Sequence, residues 1–386
     1  MLKTLAIANY RSLRNLVLPL GQLNVITGAN GSGKSNIYRA LRLLSETANG
    51  RLISTLAREG GLSSTLWAGP ETQPVMQHGG AQSAPGAVYD EPANLRLGFS
   101  TENFGYSIDL GLPASDNSAF ELDPEIKREV IWSGRTFRAA NVLVDRRGPA
   151  VIVRDKSTEE GWKRVLGGLA TFDSMLTQFA DPRSTPEMVV VREQIRTWRF
   201  YDHFRSDTNA PSRLPQIGTH SPILSDDGSN LAATLQTIRE IGDAKALDVA
   251  VEDAFPGASV EITWSHGRFE VLMRQQGLLR PLAATELSDG TLRYLLCVAA
   301  LLSPRPPSVL VLNEPETSLH PDLLPALGRL IARTAAQTQI IVVSHAGPLI
   351  EMLENEIDCY AIHLEKIAGQ TIVDGIDRPA WEWATR

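Results

Sequence analysis

The sequence is poor in cysteine and in aromatic residues, and basic residues do not outnumber acidic ones. Two of the 386 residues are cysteines, Cys297 and Cys359, and aromatic residues make up 6% of the chain. This cysteine content fits neither a disulfide framework nor a zinc site, so we expect two small core residues in a reducing compartment. The net charge of −7, from 37 Lys and Arg against 44 Asp and Glu, argues against a protein that coats nucleic acid through bulk positive charge.

Long apolar runs and heptad repeats are also missing. No segment approaches the ~20 consecutive apolar residues that a membrane-spanning helix needs, and no basic segment leads into an apolar one at the N-terminus. We therefore expect a soluble cytoplasmic protein with no membrane partner, which disfavours the motor subunit of a transporter. Residues 49–279 show no heptads, so the long coiled coil of a DNA-entrapping ring is not expected.

The segment Gly28-Ala29-Asn30-Gly31-Ser32-Gly33-Lys34-Ser35 fits the phosphate-loop pattern of Gly, four residues, Gly, Lys and Ser or Thr. An apolar strand over 23–27 precedes it, and a helix over 36–48 follows. The glycines let successive backbone N–H groups point at a phosphate, and the helix N-terminus adds its partial positive charge. Lys34 would reach the β- and γ-phosphates, and the Ser35 hydroxyl would bind Mg²⁺. An ordinary glycine-rich turn is disfavoured, because strand, loop and helix come in the required order.

The predicted ligand of this loop is ATP with Mg²⁺. The predicted binding residues are Gly28, Asn30, Gly31, Ser32, Gly33, Lys34, Ser35 and Asn36. GTP is disfavoured because the sequence contains no Asn/Thr-Lys-x-Asp guanine motif.

A compact insertion is predicted after this first helix. Strands over 2–8 and 16–27 form a small β element ahead of the glycine loop, and residues 68–93 are predicted to be a long surface loop. A β-rich section over about 94–155 and a helical section over about 171–255 follow. Two further strands, 259–264 and 268–274, then lead back toward nucleotide chemistry.

The C-terminal third alternates helices with strands. The predicted helices are 291–302, 321–335 and 347–354, and the predicted strands are 308–312, 339–343 and 358–364. This order implies a parallel sheet with crossover helices. The fold class is therefore α/β: a P-loop head that combines the N-terminal β element with a parallel sheet, and a β-then-α insertion. The head comprises 1–48 and 280–386, and the insertion comprises 49–279.

Polar side chains follow two of the predicted strands. Asn313 and Glu314 come directly after an apolar run, and the carboxyl ends of parallel strands face the ligand crevice. Glu314 is predicted to act as the base or to orient the attacking water, because phosphoryl transfer depends on positioning and charge compensation. His345 follows the next strand and could contact the γ-phosphate, although a lone histidine there is usually structural. Ser288 and Gly290 open an apolar helix, where they could bind an anion or simply form a helix cap.

Taken in order, these motifs resemble the ATP-binding head of the ABC-type ATPases, and more closely the RecF/SMC-like branch often described as AAA-type ATPases. The residues that carry the resemblance are Ile7 to Leu13, Gly28 to Ser35, Leu287 to Thr291, the strand ending at Glu314, Ser318 to Pro321 and His345. The resemblance covers about 1–48 and 280–365.

What the resemblance implies is an ATPase in which two copies close face to face on ATP. Ser288 and Gly290 of one copy would complete the site of the other, with Ser318 to Pro321 at the dimer contact. His345 would be the switch histidine, and Arg11 would touch the nucleotide. An effector protein and a role in DNA repair or defence are implied in the same way.

One residue departs from the family pattern. The strand of the family normally ends in Asp-Glu, with the Asp holding Mg²⁺ through water, whereas this chain has Asn313-Glu314. Asn keeps an acceptor oxygen but loses a negative charge, which should weaken metal binding. An ATP-gated clamp or switch with weak hydrolysis, signalling to a partner protein, is therefore the alternative to an active ATPase.

A basic stripe is predicted on the helix that begins at Pro186. Arg192, Arg196, Arg199 and His203 recur at helical spacing with aromatic residues nearby, a face that could bind DNA. A solvated helix face is the favoured interpretation, because a basic stripe without a motif is weak evidence.

Overall fold

The computed structural model describes residues 1–69, 94–113, 119–155, 161–356 and 358–384. The chain forms two compact units. Unit 1 comprises Met1, Leu20–Ala29 and Thr197–His363, and unit 2 comprises Leu2–Pro19, Asn30–Arg196 and Leu364–Arg386. Except for its first two residues, the predicted surface loop 68–93 lies outside the described residues.

The secondary structure follows the chain in this order. The strands are β1 Thr4–Tyr10, β2 Leu13–Pro19, β3 Leu23–Gly28, β4 Leu95–Ser100, β5 Phe104–Gly111, β6 Glu125–Ser133, β7 Val142–Arg147, β8 Ala150–Arg154, β9 Trp162–Gly167, β10 Arg199–Tyr201, β11 Gln216–Ile217, β12 Ser259–Ser265, β13 Arg268–Arg274, β14 Leu282–Ala283, β15 Val309–Asn313, β16 Gln339–Val343, β17 Cys359–Ile367 and β18 Gln370–Val373. The helices are α1 Lys34–Asn49, α2 Leu52–Arg58, α3 Leu62–Thr65, α4 Met175–Gln178, α5 Pro186–Arg196, α6 Leu231–Ile241, α7 Ala244–Ala254, α8 Asp289–Leu301, α9 Leu324–Ala335 and α10 Gly347–Glu354.

Unit 1 is built on a parallel sheet. Strands β10, β15, β16 and β3 pair in parallel in that order, and β17 lies beyond β3. The strands β15 and β16 are almost wholly buried apolar runs, as expected for a parallel sheet covered by helices. Helix α8 is buried along nearly its whole length in the same core, which also holds apolar residues of α6, α7 and α9. The predicted parallel sheet with crossover helices is confirmed.

Unit 2 is built on an antiparallel sheet with strand order β2-β1-β4-β5-β6-β7-β8-β9. Helix α1 carries a broad buried face, and it packs against α2, α4 and α5 and against β1 and β4. A smaller cluster around Trp132 includes Trp381 from the C-terminal segment. The β-rich section predicted for the insertion is therefore the main part of this sheet.

The compact units differ from the predicted domain boundaries. Strand β1, predicted as part of the head, pairs antiparallel with β4 of the predicted insertion, so that Thr4 lies opposite Ser100. Residues 197–279, predicted as part of the insertion, belong to unit 1 with the parallel sheet. Pairing between strands that are distant in the sequence produces this grouping. The hydrophobic pattern along the chain predicts where strands lie but not which strands pair.

The predicted basic stripe is wrong as a helical feature. Helix α5 ends at Arg196, and Arg199 lies in β10, where it pairs with Leu310 of β15. The segment leaves the helix because aromatic residues such as Phe200 and Tyr201 favour a buried strand, and both are buried here. Arg192 and Arg196 therefore do not share a helix face with Arg199 and His203.

Among the residues that the structure describes, no helix has both the length and the apolar character needed to cross a membrane.

Candidate nucleotide site

The glycine loop runs from the end of β3 to the start of α1, in the order that the sequence predicts. Gly28, Gly31 and Gly33 have φ angles of 143°, 79° and 113°, which residues with a Cβ rarely adopt. The N-cap of α1 is Gly33, which has no side chain to accept from the first N–H groups of the helix. A helix start of this kind can bind a phosphate through backbone N–H groups.

Within unit 2, a chain of hydroxyl hydrogen bonds holds the loop. Asn36 Nδ2 donates to Ser12 Oγ at 2.8 Å, and Ser12 Oγ lies 2.7 Å from Thr371 Oγ1. Thr371 Oγ1 donates its hydrogen to the Ser32 carbonyl at 2.7 Å, so Ser12 is the donor to Thr371. A Cβ at Gly33 would collide with Thr371 Oγ1, so this position requires glycine. Sequence reasoning assigned no role to Ser12 or Thr371.

The predicted phosphate and metal ligands lie at the start of α1. Lys34 is its first residue and is buried, and Ser35 is exposed one position later. Asn30 and Gly31 are exposed ahead of the helix, also in unit 2, whereas Gly28 belongs to unit 1. Their contacts with a nucleotide remain predictions.

Arg11, predicted to touch the nucleotide, is held by a carboxylate in unit 2. Its Nη2 lies 2.9 Å from Glu59 Oε2, which also accepts from the Tyr10 hydroxyl at 2.6 Å. Burial, followed by the hydrogen bond and charge of Glu59, raises the pKa of Tyr10, so the phenol stays protonated. Arg11 has a positive φ of 50° at the β1–β2 turn, and the ion pair fixes its guanidinium there.

In unit 1, three of the predicted site residues meet at the carboxyl ends of neighbouring strands. Asn313 ends β15 opposite Val343, and the Glu314 N–H donates to the Val343 carbonyl at 2.8 Å. Glu314 has a φ of 49°, a left-handed conformation that is uncommon for a residue with a side chain. His345 Nδ1 lies 3.8 Å from Glu314 Oε1, and both side chains are partly exposed. The structure thus brings Asn313, Glu314 and His345 together.

A fourth residue at this strand end, the acidic Glu316, was missed by the sequence analysis and organises the site. Glu316 is buried, and its Oε1 accepts from Ser344 Oγ at 2.7 Å, from His345 N at 2.9 Å and from Ala346 N at 3.2 Å. The same oxygen lies 3.3 Å from His345 Nδ1. Glu316 therefore fixes the backbone that carries His345. Its position two residues after Glu314 was the signal that could have indicated it.

A fifth polar residue, also missed, lies beside Asn313. Asn313 Nδ2 donates to Asp202 Oδ1 at 2.8 Å, and Asp202 follows directly after β10. Because β10 is only three residues long, its pattern gave no sequence signal for a strand. Asp202 and Asn313 therefore lie side by side at the carboxyl ends of two adjacent parallel strands.

Ser288 and Gly290 lie at the start of α8, and Gly290 lies beside Ser318. Ser288 is the N-cap, and its Oγ accepts from Thr291 N at 3.1 Å, which is the simple capping role. A Cβ at Gly290 would lie 3.2 Å from the Ser318 carbonyl. Ser288 and Ser318 are both exposed, and Ser318 has a φ of 64°. The predicted signature segment and the predicted dimer segment are therefore neighbours within unit 1.

Two buried arginines anchor this region. Arg213 donates to the carbonyls of Ala284 and Leu287, at 2.8 and 2.7 Å, and to Asp289 Oδ1 at 2.6 Å. Arg293 donates to the Thr317 carbonyl at 2.7 Å, and burial lowers its pKa. Arg213 therefore holds the backbone just before Ser288, and Arg293 holds the backbone just before Ser318.

The fold and these motifs define an ABC-type ATPase head of the RecF/SMC-like branch, as the sequence predicted. Residues 23–352 match the family described as "AAA domain, putative AbiEii toxin, Type IV TA system", and the chain belongs to this family. A short stretch is also similar to the OLD nuclease of Thermus scotoductus, with 50% identity over 44 residues. That match covers 11% of this chain and 8% of the nuclease.

Solved structures of SMC heads are similar to this chain. The SMC head bound to the C-winged helix domain of ScpA superposes with a TM-score of 0.51 at 14% identity, over 96% of this chain and 97% of that chain. The SMC head domain from Thermotoga maritima gives a TM-score of 0.47 at 14% identity, over 97% of this chain and 99% of that chain. The first likeness supports the fold class of an SMC-type head.

Two buried polar atoms test whether these residues suit ATP and Mg²⁺. The Ser32 hydroxyl oxygen in unit 2 and Asn313 Oδ1 in unit 1 are buried, and neither has a hydrogen-bond partner among the described residues. A hydroxyl in a glycine loop suits a phosphate oxygen, and an amide oxygen at a strand end suits Mg²⁺ or its bound water. The described residues contain no group of three or more His, Cys, Asp or Glu that could hold a metal. Mg²⁺ commonly uses one or two carboxylates plus substrate phosphates, so the residues present fit the predicted ligand.

Proposed function

We propose that this chain binds ATP with Mg²⁺ and hydrolyses it to ADP and phosphate. The observation that carries the proposal is the start of α1, where three glycines with positive φ lead into a helix whose N-cap has no side chain. Membership of an AAA-type family supports ATP as the nucleotide.

Each predicted residue then has a stated role. Lys34 contacts the β- and γ-phosphates, Ser35 and Asn313 bind Mg²⁺, and Glu314 orients and deprotonates the attacking water. Bound Mg²⁺ would offset the negative charge of the phosphates. The backbone hydrogen bond from Glu314 to Val343 supports this role, because it fixes the position from which the carboxylate extends. His345 donates to the γ-phosphate, and the support for this role is that the buried Glu316 fixes the backbone of His345.

We also propose that two copies close head to head on ATP. Ser288 and Gly290 of one copy would contact the nucleotide of the other. The support is that Gly290 lies against the Ser318 carbonyl and that Ser288 and Ser318 are both exposed. A γ-phosphate bridging two surfaces makes association depend on ATP, and hydrolysis then releases it.

A second candidate is an ATP-gated clamp or switch with weak hydrolysis that signals to an effector protein. Asn313, at the position of the usual Asp, favours it. A role in DNA repair or in defence is proposed from the family, whose description names a toxin of a toxin–antitoxin system. Nuclease activity is not proposed, because the match to the OLD nuclease covers 8% of that protein.

The test is the mass of the protein in solution with Mg-ATP, for wild type, Lys34→Ala and Glu314→Gln. We expect Glu314→Gln to dimerise on ATP and Lys34→Ala to remain monomeric. Lys245→Ala and Glu354→Gln, which change exposed residues of α7 and α10, are the matched controls and should behave as wild type. An unchanged single species in every sample would contradict ATP-dependent dimerisation.

Phosphate release by the wild type separates the two candidates. Sustained multiple turnover supports the ATPase, whereas release of no more than one phosphate per protein molecule supports the switch. Loss of release in Glu314→Gln assigns the activity to this chain rather than to a contaminant.

A further inference from the structure

The sheet register places Asp202 beside Asn313. In the parallel pairing of β10 with β15, Tyr201 lies opposite Leu312, so the next residue of each strand reaches the same carboxyl edge. Asn313 Nδ2 donates to Asp202 Oδ1 at 2.8 Å. Both residues belong to unit 1, and 111 positions separate them in the sequence.

This hydrogen bond determines which way the Asn313 amide points. A carboxylate only accepts, so Asp202 holds the NH₂ group toward itself and leaves Oδ1 on the other side. That Oδ1 is buried and has no hydrogen-bond partner among the residues that the structure describes. The amide therefore presents a fixed, unused acceptor at the strand end.

Asp202 also brings a negative charge to this edge. Its carboxylate is exposed, and it forms no ion pair with any described residue. By contrast, Asp207, five residues later, pairs with Arg205 at 2.9 Å. No described cation therefore neutralises the charge of Asp202. This charge lies within hydrogen-bond distance of Asn313, which has an amide where the family pattern has a carboxylate.

We propose that Asp202 is the charged member of the Mg²⁺ site in this chain. It supplies the negative charge that Asn313 lacks, and it holds the Asn313 amide so that Oδ1 remains available to the cation or to its bound water. The metal site is then divided between two strands rather than weakened. This inference rests on the proposed binding of Mg-ATP.

The experiment measures Mn²⁺ as a spectroscopic substitute for Mg²⁺, bound to the full chain with a non-hydrolysable ATP analogue. The variants are Asp202→Asn, Asn313→Asp and the double exchange of both. Asp248→Asn is the matched control, because it removes an exposed carboxylate of α7 that pairs with Arg239. Affinity for a fluorescent ATP analogue in EDTA reports nucleotide binding without metal.

We expect Asp202→Asn to weaken Mn²⁺ binding about tenfold or more, because one charge and the fixed amide are lost together. The double exchange should restore the affinity to within about threefold, since it returns one carboxylate and one amide to the pair. Asn313→Asp alone should change it little, because two carboxylates in contact repel and offset the added charge. Nucleotide affinity in EDTA should be the same in all variants.

Two results with Asp202→Asn and the double exchange would overturn the role of Asp202 and leave the proposed function standing. These are wild-type Mn²⁺ affinity in Asp202→Asn, and a double exchange that binds Mn²⁺ no better than Asp202→Asn. A large gain in affinity from Asn313→Asp would also overturn it, by showing that the wild-type site lacks a charge. If the wild type bound no nucleotide in EDTA or with Mn²⁺, the proposed function itself would fail, and the role of Asp202 with it.

Discussion

Each compact unit buries a glutamate, and the two carboxylates are satisfied in different ways. In unit 2, Glu129 is fully buried within β6, and both of its oxygens are used. Its donors are Tyr106 Oη at 2.8 Å, Ser174 Oγ at 2.6 Å, Met175 N at 2.8 Å and Arg146 Nη1 at 2.7 Å. Arg146 is itself fully buried and donates further to the carbonyls of Gly148, Ala170 and Asp173.

In unit 1, Glu316 is also buried, but its network is incomplete. Oε1 accepts from Ser344 and from two backbone N–H groups, while Oε2 is buried and has no partner among the described residues. The nearby side chain is the His345 imidazole, which is 54% exposed and whose Nδ1 lies 3.3 Å from Oε1.

The difference separates structural from functional use of a buried charge. A buried charge whose hydrogen-bonding capacity is fully used inside a sheet has no acceptor left for a ligand, so its role is to hold strands together. A carboxylate that accepts from N–H groups through one oxygen can fix a loop at a strand end. Its second oxygen stays available for a new hydrogen bond when the loop binds an anion. The predictions below test this contrast, beginning with the largest effect.

The first prediction concerns the closed network. Arg146→Met should lower the free energy of unfolding by about 3–5 kcal/mol, because it leaves the buried Glu129 without its counter-charge. Urea denaturation measures the loss. The control is Arg147→Met, which removes a mostly exposed arginine paired with Asp145 at 3.1 Å and should cost about 1 kcal/mol or less. Equal losses in the two variants would contradict the role assigned to Arg146.

The second prediction concerns the open network. Glu316→Gln keeps a carbonyl oxygen for the Ser344, His345 and Ala346 donors but removes the charge, and charge-assisted hydrogen bonds are roughly twice as strong as neutral ones. We expect the rate of ATP hydrolysis at saturation to fall about tenfold, because His345 is held less firmly, while the affinity for ATP stays near the wild-type value. Steady-state kinetics and nucleotide titration measure the two quantities separately.

Glu351→Gln, at an exposed position of α10, is the control for this variant. An unchanged maximal rate in Glu316→Gln would show that the carboxylate is not needed to position His345. A parallel loss of rate and ATP affinity would instead indicate a general structural role.

The sequence predicted those regions whose contacts are local in the chain, and it missed those whose contacts join distant residues. The glycine loop, Glu314 and the order of strands and helices around them are encoded in short segments. The structure has the loop between β3 and α1 and has Glu314 directly after β15, in the predicted order, while the roles of these residues in binding and catalysis stay predictions. Asp202 could not be found in this way, because its partner Asn313 lies 111 residues away and the strand that carries it has three residues. Thr371 reaches the Ser32 carbonyl across 339 residues.

The ion pair of Arg146 with Glu129 is another contact that the sequence could not predict. Both residues lie in the β-rich section predicted over about 94–155, and nothing in their local pattern marks them as fully buried. Strand pairing of β6 with β7 puts Glu129 opposite Arg146, and only that register makes the charges complementary.

The third prediction concerns a buried group of unit 1 that remains neutral instead of being paired. Burial in α8 raises the pKa of the Cys297 thiol from its ordinary value of 9.0 to about 12. In the unfolded chain the thiol ionises near pH 9, whereas in the folded chain it keeps its proton, so stability is present below pH 9 and is lost as the pH rises toward 12.

Cys297→Ala removes this contribution, although the smaller side chain lowers stability at every pH. Between pH 8 and pH 9.5, the wild type should lose about 1 kcal/mol more than the variant, as measured by urea denaturation at the two values. Val298→Ala truncates the next buried residue of α8 without changing a titrating group, so it should keep the wild-type dependence on pH. If Cys297→Ala and the wild type lost stability equally over this range, the thiol would have to be accessible to water. The core around α8 would then be open to solvent, which would contradict its burial.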